Sequence, residues 1–136
     1  MVELAFLVVC DAVEPKGTTA DGRSQVALLN PMVEMRPKYL PGQFSFAVSG
    51  GVRFDSPDEV SDGIQLVIRD PAGNAVSNAP PMKPTEQQAQ GTGFMFGVMV
   101  VNLLLQVEGR YRVSVEADGK EIGSLDIPIR KADDDS

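Results

Sequence analysis

Apolar and polar residues alternate along most of this chain with a period of two, the repeat of a half-buried strand. The alternation is cleanest in residues 43–54. There Phe44, Phe46, Val48, Val52 and Phe54 point one way and Gln43, Ser45, Ala47, Ser49 and Arg53 the other, while Gly50 and Gly51 predict a bulge or bend. In residues 63–70, Ile64, Leu66 and Ile68 alternate with Gln65, Val67 and Arg69. The Asp70, Pro71, Ala72, Gly73 sequence that follows fits a type I turn. Tyr111, Val113, Val115 and Ala117 form another apolar row that ends at Asp118 and Gly119, a pair that supplies the positive backbone angles of a tight hairpin. The returning strand carries Leu125, Ile127 and Ile129, with a break of phase at Ile122 and Gly123 that predicts a second bulge.

Two segments are apolar on both sides. In residues 3–10, Leu4, Phe6, Val8 and Cys10 share one side and Leu7 and Val9 the other, which predicts a strand covered on both faces. Residues 94–107 carry no charge at all. Their odd positions give Met95, Gly97, Met99, Val101, Leu103, Leu105 and Val107, and their even positions give Phe94, Phe96, Val98, Val100, Asn102, Leu104 and Gln106. One such face can line a core; the other must be covered by more of the chain or by another subunit. As one strand this stretch would run ~45 Å, longer than strands usually are, so a break near Asn102 is expected.

Residues 14–23, 55–62 and 77–93 are rich in glycine, proline and small polar residues and read as loops. The last is long for an idle connection, and Thr85 to Gln88 within it matches a capping box that would start a short helix. Many short strands without a strongly amphipathic helix predict an all-β fold. The expected form is an antiparallel β-sandwich of about seven to nine strands, immunoglobulin-like or jelly-roll-like, with a partly closed barrel as the second possibility. The 136 residues suit one domain, expected over 1–130, followed by a disordered acidic tail at 131–136 that contains three consecutive aspartates.

Charge and composition narrow the function more than they define it. A net charge of -7 with scattered Lys and Arg argues against nucleic acid and against an anionic membrane surface. The uncharged stretch is shorter than the ~20 residues of a spanning helix, and no signal-peptide pattern frames the N-terminal apolar run, so a cytoplasmic location is expected. No histidine is present, which removes the commonest general base and most zinc sites, and no cofactor-binding motif appears. The single cysteine, Cys10, lies in phase with Leu4, Phe6 and Val8 and reads as a small buried hydrophobe. Gly91, Thr92 and Gly93 lack the lysine and helix of a phosphate loop. Asp55, Asp58, Glu59 and Asp62 offer oxygen ligands to calcium, but their spacing matches no EF-hand and reads as a solvated loop. Carbohydrate sites lean on aromatic platforms, and the chain has no tryptophan and only Tyr39 and Tyr111.

The opening strand from Leu4 to Ala12, the Asp21-Gly22 turn and, above all, the segment from Asn102 to Ile129 resemble an uncharacterised family of small bacterial β-sandwich proteins, one of the families named only for having no known function. Within that segment Gly109, Tyr111, Val113, Val115, Asp118 and Gly119 make a G-x-Y-x-V-x-V-x-x-D-G core. The resemblance implies a sandwich fold and transfers no catalytic, cofactor or metal residue.

The sequence therefore points to a non-enzymatic interaction or assembly module, with a protein partner or a homo-oligomer and a contact surface formed by residues 94–107 and the long loop before them, the interface residues being Met95, Met99, Val101 and Leu103. Methionine packs adaptably and suits contacts that must re-form, although buried gap-filling is its commoner use, for Met95 and Met99 as for Met32 and Met35 beside Pro31 and Pro37. A small-ligand or carbohydrate-binding sandwich that uses the loops at one end is the alternative, and an enzyme built on carboxylates alone comes third.

Overall fold

The computed structural model describes residues 1–22, 24–84 and 91–133, and its strands are β1 (Glu3–Cys10), β2 (Ala12–Thr18), β3 (Ser24–Leu29), β4 (Gly42–Arg53), β5 (Ile64–Arg69), β6 (Ala75–Asn78), β7 (Gly93–Leu105), β8 (Gly109–Ala117) and β9 (Lys120–Ile129). All pair antiparallel, in the orders β1-β4-β7, β2-β3 and β6-β5-β8-β9. The three-stranded and four-stranded sheets face each other across one core. Phe46, Val48, Val52, Phe94, Phe96 and Leu105 come from the first sheet, and Ile64, Leu66, Ile68, Tyr111, Val113, Val115 and Ile127 from the second. The alternating rows described above are thus the inner faces of a β-sandwich, each fully buried Val, Leu, Ile or Phe contributing about 1.5–3 kcal/mol.

Two glycines make the central strand β4 fit. Gly50 and Gly51 do not bulge, contrary to the reading of the sequence; β4 stays in register with β7 through both. They are small because an aromatic ring lies over each. A Cβ on Gly50 would stand 2.4 Å from Cζ of Phe96 in the core, and one on Gly51 would stand 2.6 Å from Cε1 of Phe6 on the opposite face. The bulge sits instead in β1, between Leu4 and Phe6. It turns Leu4 inward beside the core, so Leu4 does not share a face with Phe6 and Cys10. Val9 and Cys10 are both fully buried, as a strand covered on both faces requires.

The turns follow the sequence. Gly73 N–H donates to Asp70 O at 2.9 Å, and Asp70 Oδ1 accepts from the amides of Ala72 and Asn74. Asp118 and Gly119 have φ of 53° and 76°, the pattern of a two-residue hairpin. Ile122 is the extra residue of a bulge opposite Val115 and Glu116. Tyr111 is buried and its hydroxyl donates to Val107 O at 2.9 Å, which fastens the β7–β8 connection to the core. Among the described residues no buried side-chain nitrogen or oxygen lacks a hydrogen bond.

Three loop expectations need correction. Residues 14–23 are not all loop: β2 and β3 form a two-stranded ribbon, which tolerates Pro15 and Gly17 because the register shifts between them. Residues 57–60 form a 3-10 turn rather than open loop, capped by Ser56 and closed by burial of Val60. The start of 77–93 is also ordered, since β6 reaches Asn78 and Met82 exchanges backbone hydrogen bonds with Ile64. The expected helix start at Thr85 to Gln88 lies outside the described residues. The expected tail begins too early at 131, because Ala132 N–H donates to Pro37 O and Lys131 N–H to Glu108; residues 134–136 lie outside the described set. One side of the sandwich is closed by Leu4 packing against Gly123, where a Cβ would come within 2.4 Å, and by residues 32–35 bridging Val9 and Ile129.

The glycines give a direct test. Gly50→Ala should cost about 1–3 kcal/mol in denaturant unfolding, because the buried Phe96 ring has nowhere to go. Gly97→Ala on the neighbouring strand should be neutral or slightly stabilising, since its Cβ would lie 3.6 Å from Val13. Equal effects at the two positions would contradict this packing.

Candidate interaction surface on the outer face of β7

The two outer faces of the sandwich differ in chemistry. The four-stranded sheet turns ion pairs outward: Arg69 with Glu116 at 3.4 Å, Arg112 with Asp126 at 3.4 Å and with Glu121 at 3.9 Å. Such pairs keep an antiparallel sheet comfortable in water. The three-stranded sheet carries no such lattice at its middle. Its strand pairing places Phe6, Gly51 and Met95 in one row, Val8, Ser49 and Gly97 in the next, and Cys10, Ala47 and Met99 in a third. Ala47 and Ser49 are nonetheless buried, Phe6 lies over Gly51, and Val13 of the ribbon stands over Gly97. The chain thus covers the middle of β4 and the Gly97 position of β7 with its own side chains, and leaves Phe6 of β1, 37% exposed, and the rest of the outer face of β7 open.

On that side Met99 is 55% exposed, Val101 65% and Met95 40%. These are three of the residues the sequence singles out. Leu103 is not with them; it is buried in the core. The reason is a bulge. Val101 and Asn102 together oppose Ser45, because Phe44 pairs with Leu103 and Phe46 with Val100. Asn102 adopts φ of 56°, and its amide donates to Ser45 Oγ at 2.9 Å. The extra residue reverses the alternation, so Leu103 and Leu105 turn inward and Leu104 turns outward, 46% exposed. The break expected near Asn102 is therefore a change of phase within one continuous strand. Leu104 was missed for that reason. The signal was present, since asparagine is among the few non-glycine residues that accept a positive φ.

The other candidate groups are held in structural roles. Cys10 is buried, its thiol directed to Ala12 O at 3.4 Å, and burial pushes its pKa up, so it stays protonated and unreactive. In the acidic loop, Glu59 Oε1 accepts from the amides of Asp55 and Ser56, each at 3.0 Å, while Ser56 Oγ accepts from Asp58 N–H at 3.4 Å. The terminal ammonium of Met1 pairs with Asp55 and Glu59. Asp62 lies apart, in a shallow depression of about 170 Å³ with Gln65, Pro81, Glu116 and Asp118. Among the described residues no group of three or more His, Cys, Asp or Glu side chains is arranged to hold a metal ion. Another depression, about 300 Å³, is lined by Glu108, Arg110, Pro128 and Arg130. Of the tyrosines, Tyr39 is exposed and Tyr111 buried, so they form no aromatic platform. Among the described residues no helix is long and apolar enough to cross a membrane.

The terminal ammonium, followed by the two amides, lowers the pKa of Glu59 below the usual carboxylate range. A carboxylate with a depressed folded-state pKa stabilises above its ordinary pKa, and that stability is lost as pH falls through the folded value. The melting temperature should therefore drop less in Glu59→Gln than in the native chain as pH goes from about 6 to about 3. Glutamine retains the capping geometry and lacks the charge. Parallel acid dependence in the two proteins would show that the ion pair contributes nothing.

Among solved structures, the chain is similar to an immunoglobulin-like protein from Pseudomonas aeruginosa, with 12% identity, a TM-score of 0.42, and coverage of 93% of this chain and 98% of that one. No match was found among curated protein sequences. A family model described as a family of unknown function, DUF6941, matches residues 5–130. The chain belongs to that family.

Proposed function

We propose that this β-sandwich is a non-enzymatic cytoplasmic interaction or assembly module whose contact surface is the outer face of β7. The observation that carries the reading is the exposure of Met95, Met99, Val101 and Leu104 on a strand without a single charge, beside a strand β4 whose outward Ala47, Ser49 and Gly51 are buried. Apolar side chains gathered on one exposed strand are the usual mark of a contact site, whereas isolated ones are not. Methionine adds adaptability, because its unbranched side chain re-packs against differently shaped partners at little cost. The ion pairs on the opposite sheet support the same assignment of faces, since they suit a surface that stays in water.

The small-ligand reading has less behind it. The two depressions are shallow, and neither gathers aromatic side chains. In the acidic loop Glu59 is engaged with backbone amides and the terminal ammonium, and Asp55 with the ammonium, which leaves these two carboxylates out of a poised acid and base pair.

A photo-crosslinking residue such as benzoylphenylalanine in place of Met99, in cells that express the full chain, reads the contact directly. Discrete covalent adducts are expected from position 99. None are expected from Val33, which is 84% exposed and lies on the segment between β3 and β4. Absence of adducts from positions 95, 99 and 101 alike would overturn the proposal.

A further inference from the structure

β7 is not only an exposed face but also the longest strand left at a sheet edge. Among the described residues it pairs with β4 alone. Phe54 N–H donates to Thr92 O at 2.8 Å, and the register runs on through Val52 with Phe94, Gly50 with Phe96 and Val48 with Val98. In an antiparallel pair this alternation turns the backbone groups of Phe94, Phe96 and Val98 toward β4. Those of Met95, Gly97, Met99 and Val101 point away from it.

Edges are normally blunted by charge, by proline or by covering. The outer edges of β1 and β9 are capped at one end, because Met32 N–H donates to Val9 O at 2.8 Å and Met35 N–H to Pro128 O at 3.0 Å, and both strands carry charge, Glu3 in β1 and Lys120, Glu121 and Asp126 in β9. β6 is only four residues long, and β2 carries Glu14, Pro15 and Lys16. β7 is thirteen residues long and has neither charge nor proline.

We propose that this edge is the seam of a symmetric homodimer, in which β7 pairs antiparallel with β7 of a second copy about a twofold axis at Val98. The occupant is argued from the strand itself. With Val98 opposite Val98 of the second copy, Met99 faces Gly97 and Met95 faces Val101. The bulkiest exposed side chain then meets the position that has none. Val13 stands beside that position, 3.6 Å from where a Cβ of Gly97 would lie, and gives the incoming methionine an apolar side chain to pack on. Sliding the pairing to place Met99 opposite Met99 crowds the two methionines, and placing Gly97 opposite Gly97 leaves a gap. Charge along the seam permits a copy of the same chain. Two molecules of net charge -7 repel, and β7 lets them meet without bringing like charges together along the seam. The bulge at Asn102 ends the pairing at Val101, and twofold closure consumes both free β7 edges, so assembly through this edge stops at the dimer.

The inference rests on the reading of β7 as the contact surface, and its test separates the two. Light scattering on the full chain should give a mass rising from 14.6 kDa to twice that value between micromolar and near-millimolar concentration. Amide hydrogen exchange should show Met95, Gly97, Met99 and Val101 protected in the concentrated sample and fast-exchanging on dilution, with Phe94, Phe96 and Val98 slow throughout. Met99→Asp should abolish both the mass increase and the concentration-dependent protection while leaving the circular dichroism spectrum unchanged. Val33→Asp should alter neither. A monomer at every concentration overturns the dimer, as does a dimer whose four outward amides exchange freely. Either result leaves the interaction reading standing if position 99 still yields crosslinks to another protein.

Discussion

The strand β4 sets the terms for the rest of the molecule. It pairs with β1 on one side and β7 on the other, and its residues alternate between large and very small. Phe46, Val48 and Val52 fill the core, while Ala47, Ser49 and Gly51 lie on the opposite face and Gly50 interrupts the core row. Each interruption is matched by a ring from a neighbour, Phe96 over Gly50 and Phe6 over Gly51. Large residues at those two positions would push β7 and β1 away from the sheet, so the fit of both flanking strands depends on a pair of absent side chains.

From that constraint follows the character of β7. Phe96 is drawn inward over Gly50, which fixes the phase of the strand and turns Met95 and Met99 outward. Ser45 then accepts the amide of Asn102 and stabilises the bulge that reverses the phase. The same strand therefore buries Phe94, Phe96 and Val100 before the bulge and Leu103 and Leu105 after it. Its uncharged sequence is explained in part by this double duty, since either parity must be apolar somewhere along it. What the core does not explain is the apolar character of Met95, Met99, Val101 and Leu104, which a monomer in water has no reason to keep. The contact surface we propose would supply that reason.

Period-two alternation made the sandwich and most of its inner face legible, because a side chain's parity in a strand is fixed by the backbone and the core rows are long. The hairpin at Asp118 and Gly119 and the turn after Asp70 were legible because particular residues carry particular backbone angles. The ribbon of β2 and β3 was not, since Pro15 and Gly17 carry the signature of a loop and only the register shift between them permits a strand. Parity also failed wherever a bulge intervened. By simple alternation Leu4 and Leu103 each fall on the wrong face, through one inserted residue; Asn102 marks the bulge in β7, whereas nothing local marks the one in β1. In β1 the bulge lies opposite Gly51 and Val52, on the strand that faces the glycines rather than within the glycine pair. Met95, Met99 and Val101 precede the bulge in β7 and were therefore placed on the correct face.

The claim on which the account turns is that the bulge at Asn102 reverses the phase of β7, so that Met95, Met99, Val101 and Leu104 face solvent while Leu103 and Leu105 face the core. Relaxation of methyl groups by a soluble paramagnetic agent, measured in dilute methyl-labelled protein, reports that division side chain by side chain. The account predicts strong broadening of Met95, Met99, Val101 and Leu104, with Leu103 and Leu105 sheltered. Broadening of Leu103 with protection of Leu104 would mean that the strand keeps one phase throughout, with no reversal at Asn102, and would contradict the account.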